Sequence, residues 1–326
     1  MNTDCKVLVV GGSGYIGGLV VDLLQEANYD VTVYDSLLYE SRYLKPCNLV
    51  FGDIRDTDKL VAESHKHDYI ILLAGLVGDP ACQVNVKATE DINFHAVRDF
   101  TQRLSHTKKL IFISTCSVYG AQDDTLDETS PTSPLSAYAS TKLAAEEYVL
   151  DFGGTIFRLG TVYGPGDHYS RIRLDLVVNL LTARAIKHKK IAIFGGSQWR
   201  PIISAYDVAQ YIREACERDL PGIFVLSKEN VLLSELGQRV AQCIEGTELV
   251  YNSIPFQDFR NYKVDNSKSL RTFRYRAVRT VEQEVLRLET IIKESRIKNL
   301  EEPIYSNGAY LKAHPEVLDY KRSVLV

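Results

Sequence analysis

Short apolar runs alternate with longer stretches of helical period through the first half of the chain. Lys6 to Val10, Asp30 to Tyr34, Asn48 to Phe51, Tyr69 to Leu73 and Leu110 to Ile113 are rich in Val, Ile, Leu and Tyr. They are too short for helices and read as strands buried on both faces. Between them lie helical patterns, one running to Leu24 and another from Asn85 to Leu104 with Ile92, Phe94, Val97, Phe100 and Leu104 as its apolar positions. Strict alternation of strand and helix predicts an α/β fold with a doubly wound parallel sheet, and a site at the carboxyl ends of its strands.

Beyond Tyr163-Gly164-Pro165 the alternation becomes irregular. Helices are predicted over 175–187, 206–218, 234–244 and 281–294, with a short strand over 191–194. Pro303, Asn307-Gly308 and Pro315 predict a loop-rich tail over 301–326 with at most a short helix. The expected organisation is a cofactor domain over residues 1–165 and about 202–218. A smaller, interleaved α/β substrate domain is expected over about 166–201 and 219–326.

Composition narrows the partners. The 326 residues are 45% hydrophobic and 25% charged with a net charge of −4, which disfavours nucleic acid or a membrane surface as a partner. No apolar run approaches the roughly 18 residues of a membrane span. The chain starts almost directly with its first strand, without a signal-peptide pattern. The six cysteines are scattered, with no C-x-x-C, so reduced thiols, no metal site and a cytoplasmic location are expected.

The candidate chemistry begins at Gly11-Gly-Ser-Gly-Tyr-Ile-Gly17, between the first strand and a helix. Gly11 suits the tight turn, Gly14 the approach of backbone to a pyrophosphate at the helix amino end, and Gly17 close helix-on-strand packing. This is the context of a Rossmann-type dinucleotide site. Asp35 ends the second strand about 20 residues on, where a carboxylate accepts from ribose hydroxyls and repels a 2′-phosphate, selecting NAD. Ala74 and Gly75 after the fourth strand are small enough for cofactor approach. Tyr138 and Lys142 stand one helical turn apart, so a nearby ammonium could favour the phenolate and make the phenol a proton acceptor.

Taken together, the chain resembles the extended short-chain dehydrogenase/reductase family, in its nucleotide-sugar epimerase and dehydratase group. The matching residues are the glycine turn, Asp35, Gly52-Asp53-Ile54, Leu73-Ala74-Gly75, Ser114-Thr115, Val118-Tyr119-Gly120, Glu128-Thr129, Tyr138 to Lys142, Arg158, Tyr163-Gly-Pro165, Trp199-Arg200-Pro201 and Asp207-Val-Ala209. The resemblance implies Thr115, Tyr138 and Lys142 as catalytic residues. It implies NAD contacts from Gly11, Gly14, Tyr15, Ile16, Gly17, Asp35, Asp53, Ile54, Leu73, Ala74, Gly75, Tyr138 and Lys142. A nucleotide-diphosphate sugar is the implied substrate, with Thr115, Asn179, Arg200 and Arg260 as candidate contacts, Arg173 and Arg171 as looser ones for which an exposed helix-start role is equally open, and a homodimer or higher homo-oligomer as the implied assembly.

The departures bear on the reaction. Where a 4,6-dehydratase of this group carries an Asp-Glu pair after the catalytic Thr, the chain has Cys116 and Ser117. The simplest expected chemistry is therefore oxidation at C4, as a 4-epimerase or 4-dehydrogenase. Cys116, together with His168, keeps a 3,5-epimerase/4-reductase or an atypical dehydratase open, and Cys116 as a small buried filler is the competing reading.

Overall fold

The computed structural model describes residues 5–40, 43–252, 261–294, 297 and 299–320. The strands are β1 (Lys6–Val10), β2 (Asp30–Asp35), β3 (Asn48–Phe51), β4 (Tyr69–Leu72), β5 (Lys109–Thr115), β6 (Thr125–Leu126), β7 (Thr155–Leu159), β8 (Thr161–Tyr163), β9 (Lys190–Phe194), β10 (Trp199–Ser204), β11 (Gly222–Leu226), β12 (Glu229–Leu232), β13 (Glu248–Asn252) and β14 (Lys263–Val264). Seven of them form the main sheet, all parallel, in the order β11-β7-β5-β4-β1-β2-β3. The winding reverses at β1, which lies between β2 and β4. A ligand crevice in such a sheet opens there, beyond the strand ends.

Both faces of the sheet are covered, and side chains alternate between them with period two. Leu8, Val10, Ile70, Leu72, Leu110, Phe112 and Ile156 pack towards the helices Thr57–Ser64, Ala96–Arg103 and Ala137–Phe152. Val7, Val9, Val31, Val33, Ile71, Ile113 and Phe157 pack towards the helices Gly17–Glu26 and Ala205–Cys216. The runs read as continuously apolar because neither face meets water.

The remaining elements are smaller. They comprise the three-stranded sheet β12-β10-β8, the pair β13-β9 and the pair β14-β6, with the helices Val177–His188, Leu233–Cys243 and Val281–Lys293 packed round the first two. The boundary expected at residue 219 needs correction. β11 pairs with β7 as the edge of the main sheet, Phe273 packs on that sheet's second face, and Leu311 and Leu318 enter the core of its first. The chain returns to the cofactor domain repeatedly because the exposed edge of β7 and the open ends of both cores need covering.

The helical pattern over 85–104 also breaks into three. The segment Val86–Glu90 is α-helical, Asp91–His95 is a π-turn, and Ala96–Arg103 resumes the α-helix. Among its described residues the tail holds one short helix, Asn307–Ala313, flanked by the 3₁₀ turns Pro303–Tyr305 and Pro315–Leu318.

A buried lysine fastens the loop between β2 and β3. Lys45 Nζ donates to Gly18 O at 2.7 Å and lies 2.5 Å from Asp22 Oδ1 and 2.7 Å from Asp167 Oδ1. It joins the first helix to the segment that follows β8. Asp167 is buried while Asp22 is partly exposed, so removing the lysine strands one carboxylate. Lys45→Met is expected to cost about 3 kcal/mol of unfolding free energy, measured by urea titration. A loss below about 1 kcal/mol would contradict a structural role for this ion cluster.

Candidate active site

The glycine turn makes close approaches that side chains would block. Gly11 has φ +89°, and a Cβ there would lie 2.5 Å from Ala74 N; a Cβ on Gly17 would lie 2.1 Å from Gly11 O. Gly14 differs. It is exposed, and a Cβ there would meet only Gly11 O, at 3.3 Å. The first two glycines thus serve the turn itself, whereas Gly14 leaves space on the crevice side. The following helix has Ile16 at its cap, no capping side chain and no acidic residue in its first turn. Its amino end retains the N–H groups and dipole that favour an anion.

Asp35 sits beside this turn. Its carboxylate accepts from Ser13 N at 2.9 Å and Leu37 N at 2.8 Å. Burial pushes its pKa up and those N–H groups oppose the shift. Each oxygen keeps a further acceptor position, which suits a pair of ribose hydroxyls. A cradle open at Gly14, an uncapped helix end and a fixed carboxylate fit NAD. Asp53 is differently engaged: Arg55 donates to it from Nε at 2.9 Å and from Nη2 at 2.6 Å, while Ile54 is buried in the core. Leu73 and Ala74 hold the loop to β1 through their N–H groups on Val10 O, each at 2.8 Å. Gly75 lies against the next part of the site, since a Cβ there would be 3.6 Å from Lys142 Nζ.

The helix Ala137–Phe152 carries Tyr138 and Lys142. Ser136 caps it by accepting from Ala139 N at 3.3 Å, and its hydroxyl donates to Asp79 Oδ1 at 2.6 Å. Gly153, at φ +86°, ends it in the left-handed region. Thr115 stands at the end of β5, caps the turn Cys116–Tyr119 by accepting from Ser117 N at 3.1 Å, and lies near enough to the Tyr138 phenol to favour its ionised form. Threonine, tyrosine and lysine therefore meet beside Gly75, at the carboxyl end of the sheet.

The charges differ from the expectation that Lys142 pulls the phenol down. Lys142 Nζ donates to Ile113 O at 2.8 Å and lies 4.5 Å from the centroid of the Phe112 ring. Burial lowers its pKa to about 8, against the opposing charges of Cys82 and Glu146. Burial also pushes the Tyr138 phenol above its ordinary value, helped by Cys82 and Asp79. Arg173 and Thr115 draw it back.

Arg173 is buried, pairs with Asp175 at 3.0 Å and lies 5.7 Å from the Tyr15 ring centroid. Tyr15 donates its hydroxyl to Gly164 O at 2.7 Å.

The other expected substrate contacts are dispersed. Asn179 accepts from Gly164 N at 2.9 Å and donates to Gly164 O at 2.7 Å and Arg173 O at 2.8 Å, so it braces the backbone behind Arg173. Arg200 is buried on β10 and donates to Trp199 O at 2.9 Å. Trp199 faces Lys263 at 5.4 Å from its ring centroid. Arg171 lies over the Tyr39 ring at 4.0 Å. Arg260 lies outside the described residues. Cys116 is fully buried, and its thiol donates to Arg158 O at 3.3 Å. Burial drives its pKa well above the ordinary thiol value. The structure thus turns Cys116 into the core, away from the role for which it was a candidate, and His168 is exposed beside Tyr169.

Two residues not singled out in the sequence hold the site. Asn93, on the π-turn, accepts from Leu76 N and donates to Leu76 O, both at 2.8 Å, fixing the Gly75 loop. Glu146, one turn beyond Lys142, accepts from Ser114 Oγ at 2.5 Å and from Arg158 Nη2 at 2.7 Å. Arg158 in turn donates to Tyr119 Oη at 3.1 Å. The visible signal was polarity where the helical stripe required an apolar residue.

The sheet and its glycine turn define a dinucleotide-binding α/β protein. The profile of the NAD dependent epimerase/dehydratase family matches residues 7–226. The chain is 30% identical over 224 residues to a putative UDP-glucose 4-epimerase of Methanocaldococcus jannaschii, covering 63% of this chain and 71% of that protein. It is 27% identical over 285 residues, 80% of each chain, to the dTDP-D-glucose 4,6-dehydratase of Homo sapiens. The solved UDP-glucose 4-epimerase of Thermotoga maritima with UDP-glucose superposes with a TM-score of 0.78 at 25% identity, over 89% of this chain and 100% of that one. The chain belongs to the NAD-dependent epimerase/dehydratase family, in the extended short-chain dehydrogenase/reductase group. Among the described residues no helix is long and apolar enough to cross a membrane.

The buried Lys142 ammonium yields a titration test. With its pKa lowered to about 8, below the usual lysine value of about 10.4, the folded protein loses this proton before the unfolded chain does. Its burial therefore costs stability at neutral pH, and that cost is relieved as pH rises between those two values. Glu146→Gln removes a charge that holds the ammonium up, so the Lys142 pKa is expected to fall further. NMR titration of ¹³Cε-labelled lysine, assigned through Lys142→Arg, reads it directly. An unmoved or higher value would refute this coupling.

Proposed function

We propose that the chain oxidises C4 of a nucleotide-diphosphate sugar using NAD, most simply as a 4-epimerase, with a 4-dehydrogenase as the neighbouring outcome. The observation that carries this is the meeting of Thr115, Tyr138 and Lys142 beside Gly75, with the Cys116 thiol directed into the core. A single proton-transfer residue suffices for reversible carbinol oxidation, whereas elimination or epimerisation next to the carbonyl needs a second one. The burial of Cys116 weighs against the reductase and dehydratase readings that would use it. Retention of tyrosine and lysine weighs against a protein that only senses NAD.

In this reading Thr115 orients the C4 hydroxyl and Tyr138 takes its proton. Bound NAD would supply the hydride acceptor and a positive ring near the phenol. Gly11, Gly14, Tyr15, Ile16 and Gly17 would hold the cofactor's pyrophosphate end, Asp35 its ribose, and Asp53, Ile54 and Leu73 to Gly75 its flanks. Lys142, held on Ile113 O, would meet the cofactor on the side of Gly75. Arg173 supplies positive charge near the phenol in the resting protein and, with Arg200, would face the substrate diphosphate; a guanidinium fork suits such a group. Asn179 contributes through the backbone that it braces. A homodimer built on the helices near 91–104 and 137–150 accords with the exposed apolar side chain of Leu150 on the second of them.

Purified protein is to be incubated with UDP-, GDP-, dTDP- and CDP-sugars, following NADH absorbance and product NMR in deuterated water. Inversion at C4 without solvent deuterium is the expected outcome; net NADH identifies the dehydrogenase, and deuterium at C3 or C5 overturns the proposal. Tyr138→Phe should lower kcat by about 10²- to 10⁴-fold; substantial residual turnover contradicts the assigned proton transfer. Cys116→Ala, by contrast, should leave kcat within a few-fold while lowering the melting temperature. Loss of turnover in a folded Cys116→Ala protein would restore the thiol chemistry.

A further inference from the structure

The C-terminal segment is absorbed by none of this chemistry, yet it touches three of the loops that the NAD reading uses, those after β2, β3 and β4. Near its start, Tyr305 O accepts from Leu174 N at 2.8 Å and Ile304 O from Arg171 Nη1 at 2.8 Å, both on the substrate side. Asn307 then joins the two sides. Its N–H donates to Asp175 Oδ2 at 2.9 Å and its Oδ1 accepts from Arg171, while its Nδ2 donates to Val77 O at 2.8 Å, on the loop continuing from Gly75. Gly308 follows in close contact, since a Cβ there would fall 2.9 Å from Pro80 Cβ.

The segment continues across the other two loops. The Tyr310 ring meets Tyr39, just beyond Asp35, at 5.4 Å between centroids. Leu311 and Leu318 are buried with Tyr34 and Ile54. Leu318 O accepts from Arg55 Nη1 at 2.9 Å, and Arg55 is the residue clamped on Asp53. The segment thus connects the loops after β2, β3 and β4 to one another and to Arg171 and Asp175 opposite.

We infer that residues 303–318 form a clasp over the dinucleotide site that retains NAD through successive turnovers. The inference rests on the NAD reading above and deepens it. Loops tied to one another and to the opposite domain cannot part without breaking the Asn307 hydrogen bonds and withdrawing Leu311 from the core, so cofactor exchange requires a concerted opening. With the cofactor retained, the hydride taken from C4 must return to the same sugar before release, the hydroxyl proton being given back by the base that took it. That requirement favours the epimerase over a dehydrogenase that discharges NADH.

The test needs no sugar. The full-length protein is loaded with NADH, and release is followed by the fall in bound-NADH fluorescence after addition of excess NAD. Asn307→Ala removes the side-chain links, and Gly308→Leu wedges the helix from Pro80. Lys312→Ala, at an exposed position of the same helix, is the control. Both clasp variants should release NADH at least tenfold faster than the parent, with Lys312→Ala unchanged, at a temperature where circular dichroism shows all four proteins folded. Equal release by the folded clasp variants would overturn the clasp, as would a parent that binds NADH but releases it within milliseconds. A parent that binds no NADH would overturn the dinucleotide reading itself, and the clasp with it.

Discussion

The active-site geometry depends on one buried ion pair, Glu146 with Arg158. The carboxylate is on the helix that carries Tyr138 and Lys142; the guanidinium is on β7; and Ser114, which donates to the carboxylate, directly precedes Thr115. Two charges in an apolar interior are costly unless each is closely paired and hydrogen-bonded. Here that condition is met only when the helix, β5 and β7 share one register. The energetic penalty for misregister is thereby applied to the elements whose relative position sets the Thr115–Tyr138 contact. The stability and the mutual alignment of these three elements are consequences of the same pair.

Burial has opposite consequences for the two functional groups on this helix. It drives Lys142 towards neutrality and Tyr138 towards its protonated form. Taken alone, both shifts oppose a phenolate–ammonium pair. The neighbours offset them unequally: Glu146 supports the lysine charge, while Arg173 and Thr115 favour the phenolate. Arg173 comes from the segment after β8, so the electrostatics of the phenol depend on how that segment meets the main sheet.

Much of the fold was legible because its physics is local. β-branched runs, a glycine turn and Asp35 at a strand end each follow from short-range periodicity or spacing. The one-turn spacing of Tyr138 and Lys142 was legible for the same reason, and family resemblance added Thr115 to them. What escaped depends on long-range packing. β11 carries no mark distinguishing an edge strand of the main sheet from one of a second domain, and its placement follows from the free edge of β7. Cys116 adjoins Thr115 in sequence, yet the 3₁₀ turn directs its thiol towards Arg158 O. The preference of Asn179 for backbone partners, and the approach of Asn307 to Val77 across 230 residues, have no local sequence signal.

The π-turn over Asp91–His95 gives the long helix an extra residue within one turn. Each residue of an α-helix advances the side-chain direction by about 100°, so an inserted residue would ordinarily rotate everything downstream off the core. Here Ile92 precedes the wide turn's end and Ala96, Val97 and Phe100 follow it, and all four are buried in the same cluster. The bulge absorbs the phase change and sets Asn93 against Leu76. The helix behaves as two independently phased rods with a polar notch between them. Deletion of one residue within the notch would alter the orientation of Asn93 and the seating of every later turn together, so this segment can tolerate substitution far more readily than a change in length.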